Sequence, residues 1–210
     1  AEQSPNQQNW QPYNKLKRPG EVRLLAYQGI AHGADSALYF QMRQSIGGQE
    51  KFHGALISHS GRNDTRIFQE MKALGGELHS LGGQLLDART RSDVGILFDW
   101  DSWWALELCS GPTKDMDYLA QVSHYYRAFY QAGIAVDMVK YEGDFSKYKV
   151  LAAPLSYMLK EGLAEKLKTF VREGGILLGT YMTGVADETD RCIFGAYPGP
   201  LREVFGLWVE

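Results

Sequence analysis

Short apolar runs alternate with helical patterns in the second half of the chain, and this alternation restricts the fold more than any other feature. Four runs have the length and apolar character of buried strands: residues 94–98, 134–139, 150–153 and 176–181. Apolar residues recur at helical spacing in residues 115–132, which end at Gly133, and in residues 161–173, which end at Gly174 and Gly175. Strands that alternate with helices predict a small parallel sheet with helices on both faces.

The first part of the chain predicts a different arrangement, with two helices, one strand and one long loop. A helix is predicted over residues 20–32 and a buried strand over residues 36–42. Residues 43–63 form a long loop, and a second helix begins after the cap residue Asp64 and ends at Gly82 and Gly83. With a strand end near Glu2, this order is typical of the last quarter of a (β/α)8 barrel.

Length and composition fit two domains, residues 1–86 and residues 91–210, in an ordinary α/β protein. The net charge of −3 gives no support for nucleic-acid binding, and no apolar run is long enough to span a membrane. Cys109 and Cys192 lie far apart and form no CxxC motif. This argues against a disulfide framework or a metal knuckle and favours the reducing cytoplasm. No cofactor is expected.

Two residues near the start of the chain are candidate site residues. Glu2 lies at a predicted strand end before a polar, proline-containing loop. It is either a solvated surface charge or a carboxylate exposed to a cleft. Trp10 is either a core aromatic or, as its neighbours Asn9 and Gln11 suggest, a half-exposed ring.

Glu50 and His53 are three residues apart, and three interpretations of the pair remain open. They are solvated loop side chains, metal ligands or groups that bind sugar hydroxyls. A metal ion would need further ligands, and His59 is the nearby residue that could serve as a third ligand. A carboxylate and an imidazole together can accept from and donate to hydroxyl groups.

Three tryptophans directly follow the first strand of the predicted parallel sheet: Trp100, Trp103 and Trp104. A parallel sheet presents the loops after its strands at one edge, so the run is expected in such a loop. A small domain has difficulty covering three indole rings, and aromatic residues are enriched in interface cores. The alternative is that the rings pack beneath the domain's own helices.

Five separated stretches resemble the C-terminal part of a bacterial β-galactosidase of glycoside hydrolase family 42. They are EQSPNQQNWQPYN, RPGEVRLLAYQGIAHGAD, FQMRQSIGGQEKFHGAL, FDWDSWWALEL and GAYPGPLREVFG. They occur in the family's order over nearly the whole chain. The resemblance implies a fragment of a retaining enzyme that hydrolyses terminal non-reducing β-D-galactosyl residues. It also implies that the barrel strands before Glu2 are absent and that the fragment alone is inactive.

The resemblance assigns roles to the four candidate residues. Glu2 matches the family's nucleophile, whereas the family's proton donor lies on an earlier strand and is expected to be absent. Trp10, Glu50 and His53 match positions that contact the galactose. These matches favour substrate binding by Glu50 and His53, with no metal site.

The resemblance also implies that the second domain is a trimerisation domain, so that the protein is a homotrimer. Its pattern is flavodoxin-like and similar to class I glutamine amidotransferases. Those enzymes need a cysteine at a sharp turn after a strand and a downstream histidine. The matching strand ends at Thr180 and Tyr181 without a cysteine, and no histidine follows His124. The domain is therefore interpreted as non-catalytic. The alternative for the whole chain is a non-catalytic sugar-binding or oligomerisation module.

Overall fold

The chain is divided into two units, Ala1–Thr90 and Arg91–Glu210, and the computed structural model describes residues 2–210. The first unit has four elements: β1 (Glu2–Gln3), α1 (Glu21–Ala31), β2 (Leu38–Tyr39) and α2 (Arg66–Leu85). The two strands are parallel, with Glu2 opposite Leu38. A helix that joins two parallel strands is the repeating unit of a (β/α)8 barrel, as the sequence predicted.

Helices α1 and α2 pack against each other through a small apolar core. Its buried members are Val22, Ala26 and Leu74. Helix α2 begins after Thr65, whose side-chain oxygen accepts from the N–H of Phe68. The predicted cap residue, Asp64, was therefore one position early.

Helix α2 also continues beyond its predicted end at Gly82 and Gly83 and reaches Leu85. A helical glycine costs only about 1 kcal/mol relative to alanine. Neither glycine adopts the left-handed conformation that ends many helices. The packing of the α2 apolar face against α1 therefore outweighs the two glycines.

The second unit includes a 3₁₀-helix at Gly199–Leu201 and contains the remaining strands and α-helices. They are β3 (Val94–Leu97), α3 (Trp100–Leu108), α4 (Tyr118–Gln131), β4 (Val136–Val139), β5 (Val150–Ala153), β6 (Met158–Leu159), α5 (Leu163–Arg172), β7 (Ile176–Gly179), β8 (Ala186–Asp187) and α6 (Arg202–Phe205). Four strands form a parallel sheet in the order β4-β3-β5-β7. This is a doubly wound order of the flavodoxin type. The second strand, β4, lies on one side of β3, and the later strands β5 and β7 lie on the other side. The predicted parallel sheet is confirmed.

Both faces of the central strands β3 and β5 are buried, as their runs of apolar residues predict, whereas most of the outer strand β7 is exposed. Leu97, Leu151 and Ala153 face a core that includes Leu167 and Phe170 of α5. Ile96 and Ala152 face the other core, which includes residues of α3 and α4. No helix in the described part of the chain has both the length and the apolar character needed to cross a bilayer.

The main correction in this unit is α3, which occupies residues where a loop was expected after β3. Asp99 caps the helix by accepting from the N–H of Ser102 at 2.8 Å. The sequence Asp-Trp-Asp-Ser therefore contained a helix-capping signal, which was missed because the tryptophan run was interpreted as part of a loop. The short strands β6 and β8, which pair in parallel, were also not predicted.

Candidate active site

Glu2 lies on the face of the β1–β2 pair that points away from the helices. Gln3 donates from Nε2 to the carbonyl of Leu25 on α1 at 3.2 Å, and Tyr39 packs against the core between the helices. Neighbouring side chains on a strand point to opposite faces. Glu2 and its partner Leu38 therefore point the other way, and both are exposed.

A tight turn directly follows β1 and is held by side chains. The hydroxyl of Ser4 lies 3.1 Å from the carbonyl oxygens of both Asn6 and Gln7. The ammonium of Lys17 donates to the carbonyls of Ser4 at 2.5 Å and Asn6 at 3.1 Å. These bonds fix the backbone between Glu2 and Trp10.

The loops after β1 and β2 are joined by three hydrogen bonds. The N–H of Gly54 donates to the carbonyl of Gln7 at 2.8 Å, and Nε2 of Gln7 donates to the carbonyl of Phe52 at 2.9 Å. The third bond runs from Nδ2 of Asn9 to the carbonyl of Gln49 at 2.6 Å. The two predicted site loops therefore lie side by side.

His53 occupies the centre of this arrangement and is 1% exposed. Its ring stacks on Trp10 with centroids 5.0 Å apart and planes 21° apart, and it contacts the edge of Phe40 at 5.2 Å. Nδ1 lies 2.9 Å from the carbonyl of Gly54, which can only accept a hydrogen bond. Nδ1 is therefore the donor, and in the neutral ring Nε2 is left as an acceptor.

Glu50 lies one turn before His53, because the N–H of His53 donates to the Glu50 carbonyl at 2.9 Å. The segment is a turn rather than a helix, and the Glu50 side chain is exposed. Nε2 of His59 lies 2.7 Å from the carbonyl of Ser45. Among residues 2–210, no group of three or more His, Cys, Asp or Glu side chains is placed to hold a metal ion.

Phe40 is the site residue that sequence reasoning missed. It was included in the predicted strand over residues 36–42, but β2 ends at Tyr39 and the Phe40 ring contacts His53. The available signal was its place directly after a barrel strand, where functional side chains concentrate. The resulting cluster can hold a polyhydroxylated ligand that has one apolar face, since it combines an aromatic stack with a ring nitrogen that can accept a hydrogen bond.

A second polar cluster lies at the carboxyl ends of β3 and β4, where Asp99 and Tyr141 follow the two strands. Asp99 is buried and accepts from the ammonium of Lys160 at 2.5 Å, and its N–H donates to the hydroxyl of Tyr118 at 2.9 Å. Burial raises the pKa of Tyr118, and it raises the pKa of Tyr141 to about 12. Both phenols are therefore neutral.

The turn after β7, residues 180–183, contains no cysteine. Met182 adopts a φ of 61° there, in a region that favours glycine, beside an apolar cavity of about 730 Å³. Thr180, Thr183 and Tyr181 also line the cavity, but no cysteine or histidine does. This supports the interpretation of the second unit as lacking amidotransferase chemistry.

The three tryptophans of α3 have different environments. Trp103 packs against the core of its own unit, and its Nε1 donates to Glu107 at 2.7 Å. Trp100 and Trp104 are 54% and 52% exposed, with ring centroids 5.7 Å apart. Of these three tryptophans, Trp100 and Trp104 present large apolar surfaces to solvent.

Two family profiles match the chain. Residues 92–210 match the family described as "Beta-galactosidase trimerisation domain", and residues 1–81 match the family described as "Beta-galactosidase". Together with the α/β fold, these matches define a C-terminal part of a (β/α)8 barrel followed by a flavodoxin-like domain. The chain belongs to the β-galactosidases of glycoside hydrolase family 42.

Individual relatives give the same result. β-Galactosidase BgaA of Planococcus sp. (strain 'SOS Orange') is 53% identical and LacZ of Lactobacillus acidophilus is 45% identical, each over all of this chain. The crystal structure of β-galactosidase from Bacillus circulans sp. alkalophilus has a TM-score of 0.95 and 49% identity, again over all of this chain. The chain spans 31% of the length of each of these relatives.

Proposed function

We propose that this chain is the part of a retaining β-galactosidase that carries the nucleophile and several galactose-binding side chains. Glu2 is the nucleophile, and Trp10, Glu50 and His53 bind the sugar. Residues 91–210 form the domain that assembles a homotrimer, and residues 1–86 belong to the catalytic barrel. The observation that carries the proposal is the stack of Trp10 on buried His53, formed by the two loops that follow β1 and β2.

The proposed reaction uses Glu2 to attack the anomeric carbon of a terminal β-galactosyl residue. A covalent galactosyl-enzyme forms as the aglycone leaves. Water then attacks the anomeric carbon from the face that the aglycone occupied and releases galactose from the enzyme. The acid that protonates the leaving oxygen is proposed to lie outside this chain. The 210 residues alone are therefore expected to be inactive, since general acid help contributes on the order of 100-fold to 10,000-fold.

The binding residues have distinct roles in this proposal. The indole face of Trp10 packs against the apolar face of the pyranose ring. Nε2 of His53 accepts a hydrogen bond from one sugar hydroxyl, while Nδ1 remains bonded to the Gly54 carbonyl. The exposed Glu50 carboxylate accepts from further hydroxyls. Hydrogen bonds of this kind strengthen as the transition state forms, so they contribute to kcat/KM.

The free and exposed state of Cys109 and Cys192 supports a further proposal, a cytoplasmic location for the protein. No disulfide is needed for the fold of either unit. The proposed partners are β-galactosides and two further copies of the same chain.

The test is azide rescue of Glu2→Ala in the full-length protein that contains these residues. Loss of the nucleophile opens the face from which Glu2 attacks, so azide should attack there and form α-galactosyl azide from an activated aryl β-galactoside. Glu2→Gln, which keeps the shape of the side chain, should fold normally and show almost no turnover. Formation of β-galactosyl azide would indicate an acid/base role instead. Wild-type turnover by both variants would favour a sugar-binding or oligomerisation module.

A further inference from the structure

The backbone between Glu2 and Trp10 is held by a lysine that no proposed step uses. Lys17 donates from its ammonium to the carbonyls of Ser4 and Asn6. Its own N–H donates to the side-chain oxygen of Asn6 at 3.1 Å. Lys17 and the turn are thus joined by three hydrogen bonds.

Lys17 is in turn fixed from the other side. Its carbonyl accepts from the Nη2 of Arg66 at 2.8 Å, and Arg66 is the first residue of α2. Arg66 also pairs with Glu70 one turn further along the helix. A continuous set of hydrogen bonds therefore links the start of α2 to the turn after β1.

The charge of Lys17 is partly removed from water. Burial lowers the pKa of its ammonium, and nearby Glu21 opposes this effect only in part. A half-buried cation that is bonded to backbone carbonyls rather than paired with a carboxylate is an unusual arrangement, because desolvation of the charge must be offset by those bonds.

We propose that Lys17 is a positioning residue for the reaction proposed above: its ammonium sets the backbone turn that connects the nucleophile Glu2 to the stacking residue Trp10. Among residues 2–210, Lys17 makes no hydrogen bond or ion pair with either of these side chains, and it acts through the carbonyls of Ser4 and Asn6. The inference rests on the proposed role of Glu2. It adds a residue that neither the spacing of the sequence nor the family resemblance had singled out.

The rate of covalent labelling by an activated 2-deoxy-2-fluorogalactoside measures this role directly. In this reagent the fluorine slows hydrolysis of the intermediate, and a dinitrophenolate leaving group needs little acid help. Each active site then releases one dinitrophenolate. The amplitude of release counts folded sites, and the rate constant reports how well Glu2 is placed.

Lys17→Met in the full-length protein removes the donor and keeps the length of the side chain. We expect the labelling rate constant to fall on the order of 10-fold to 100-fold, the size of effect that a displacement of about 1 Å can produce. The amplitude should stay close to that of wild type. Lys17→Arg, which keeps a cationic donor, should recover part of the rate.

Lys15→Met is the matched control, because Lys15 is exposed and has no side-chain hydrogen bond or ion pair within residues 2–210. It should label at the wild-type rate. If Lys17→Met yields too little folded protein, Lys17→Gln, whose uncharged NH2 group keeps two N–H donors, should show a smaller decrease in the same measurement.

Two results for Lys17→Met would overturn the inference and leave the proposed function intact. One is a labelling rate constant within about 2-fold of wild type. The other is a reduced amplitude with an unchanged rate constant, since that would indicate a role in folding alone. A wild-type protein that is labelled on a residue other than Glu2 would overturn the proposed function, and the inference with it.

Discussion

At the scale of single residues, Gly54 shows how closely the two site loops approach. A Cβ at this position would lie 2.8 Å from the carbonyl oxygen and 2.9 Å from the nitrogen of Gln7. Both are backbone atoms, so the contact can be relieved only if the loops move apart. The same backbone carries Trp10 on one loop and His53 on the other, so Gly54 controls the distance between their rings.

Gly54→Ala is therefore expected to lower kcat/KM of the full-length enzyme on the order of 10-fold to 100-fold. Most of this loss should come from displacement of the stacked Trp10 and His53 rings relative to the sugar. Gly47→Ala is the control in the same loop, because a Cβ at Gly47 meets no atom within 4 Å and Gly47 does not have a positive φ. Equal kinetics in the two variants would show that the loops tolerate the displacement.

Asp137 is expected to make the second unit sensitive to acid. Burial alone would raise the pKa of its carboxyl, but hydrogen bonds from Lys147, Tyr148 and Ser92 together outweigh burial and hold the pKa below its ordinary value. A carboxyl with a lowered pKa stabilises the folded state above its unfolded pKa. That contribution is lost as the pH falls through the lower, folded pKa.

The measurement is the melting temperature of wild type and Asp137→Asn between about pH 3 and pH 7, a range that includes the ordinary aspartate pKa of about 3.9. The difference between the two proteins should be largest near neutral pH and should shrink below about pH 4. Asp115→Asn, at an exposed carboxyl, should show no such trend. A difference that stays constant over the whole range would contradict the assignment.

At the scale of elements, α3 depends on its cap. Asp99 accepts from the Ser102 N–H and from the ammonium of Lys160, while exposed Asp101 also pairs with Lys160 at 2.6 Å. A lost cap costs about 0.5–2 kcal/mol, and a lost hydrogen bond to a charged group costs about 1.5–3 kcal/mol. The two carboxylates share one cation but differ in burial, and only Asp99 caps the helix.

Asp99→Ala should lower the protection of α3 amides against deuterium exchange on the order of 10-fold to 100-fold, because local opening becomes easier. Asp99→Asn keeps the cap and should retain most of the protection. Asp101→Ala is the matched control and should have a smaller effect, since exposed ion pairs contribute little. An equal loss of protection in the two alanine variants would show that the cap does not stabilise α3.

The elements also show what the sequence could predict. The strands of the parallel sheet follow from their short, mostly apolar runs, and helices α4 and α5 follow from the regular spacing of the apolar residues that they bury. Helix α3 could not be predicted in this way, since WDSWWALEL is apolar on nearly all sides and its apolar residues have no clear period. The contacts of Lys17 and Gly54 depend on loops that meet only after folding. No local pattern reports such contacts, so Lys17 and Gly54 could not be predicted.

At the scale of the whole molecule, the proposed homotrimer depends on exposed apolar surface in the second unit. Trp100 and Trp104 are half exposed, whereas Trp103 packs inward. Buried aromatic residues at an interface can each contribute about 2 kcal/mol or more, roughly a 30-fold change in affinity. The trimer contacts are therefore expected to include Trp100 and Trp104 rather than the complete tryptophan run.

Trp100→Ser and Trp104→Ser should shift the full-length protein from trimer toward monomer at low micromolar concentration, as measured by light scattering. Trp103→Ser is the control for lost packing, and it should lower the melting temperature while the folded protein remains a trimer. If all three variants stay trimeric, the assembly surface lies elsewhere in the protein.

The central claim is that Glu2 is the nucleophile of a retaining β-galactosidase. Its most direct test is to label the full-length wild-type enzyme with the activated 2-deoxy-2-fluorogalactoside, digest it and locate the modified residue by mass spectrometry. The covalent intermediate of a retaining enzyme places the sugar on the attacking carboxylate. The account predicts a single fluorogalactosyl group on Glu2. A label on any other carboxylate, or complete absence of a label while the enzyme turns over, would contradict it.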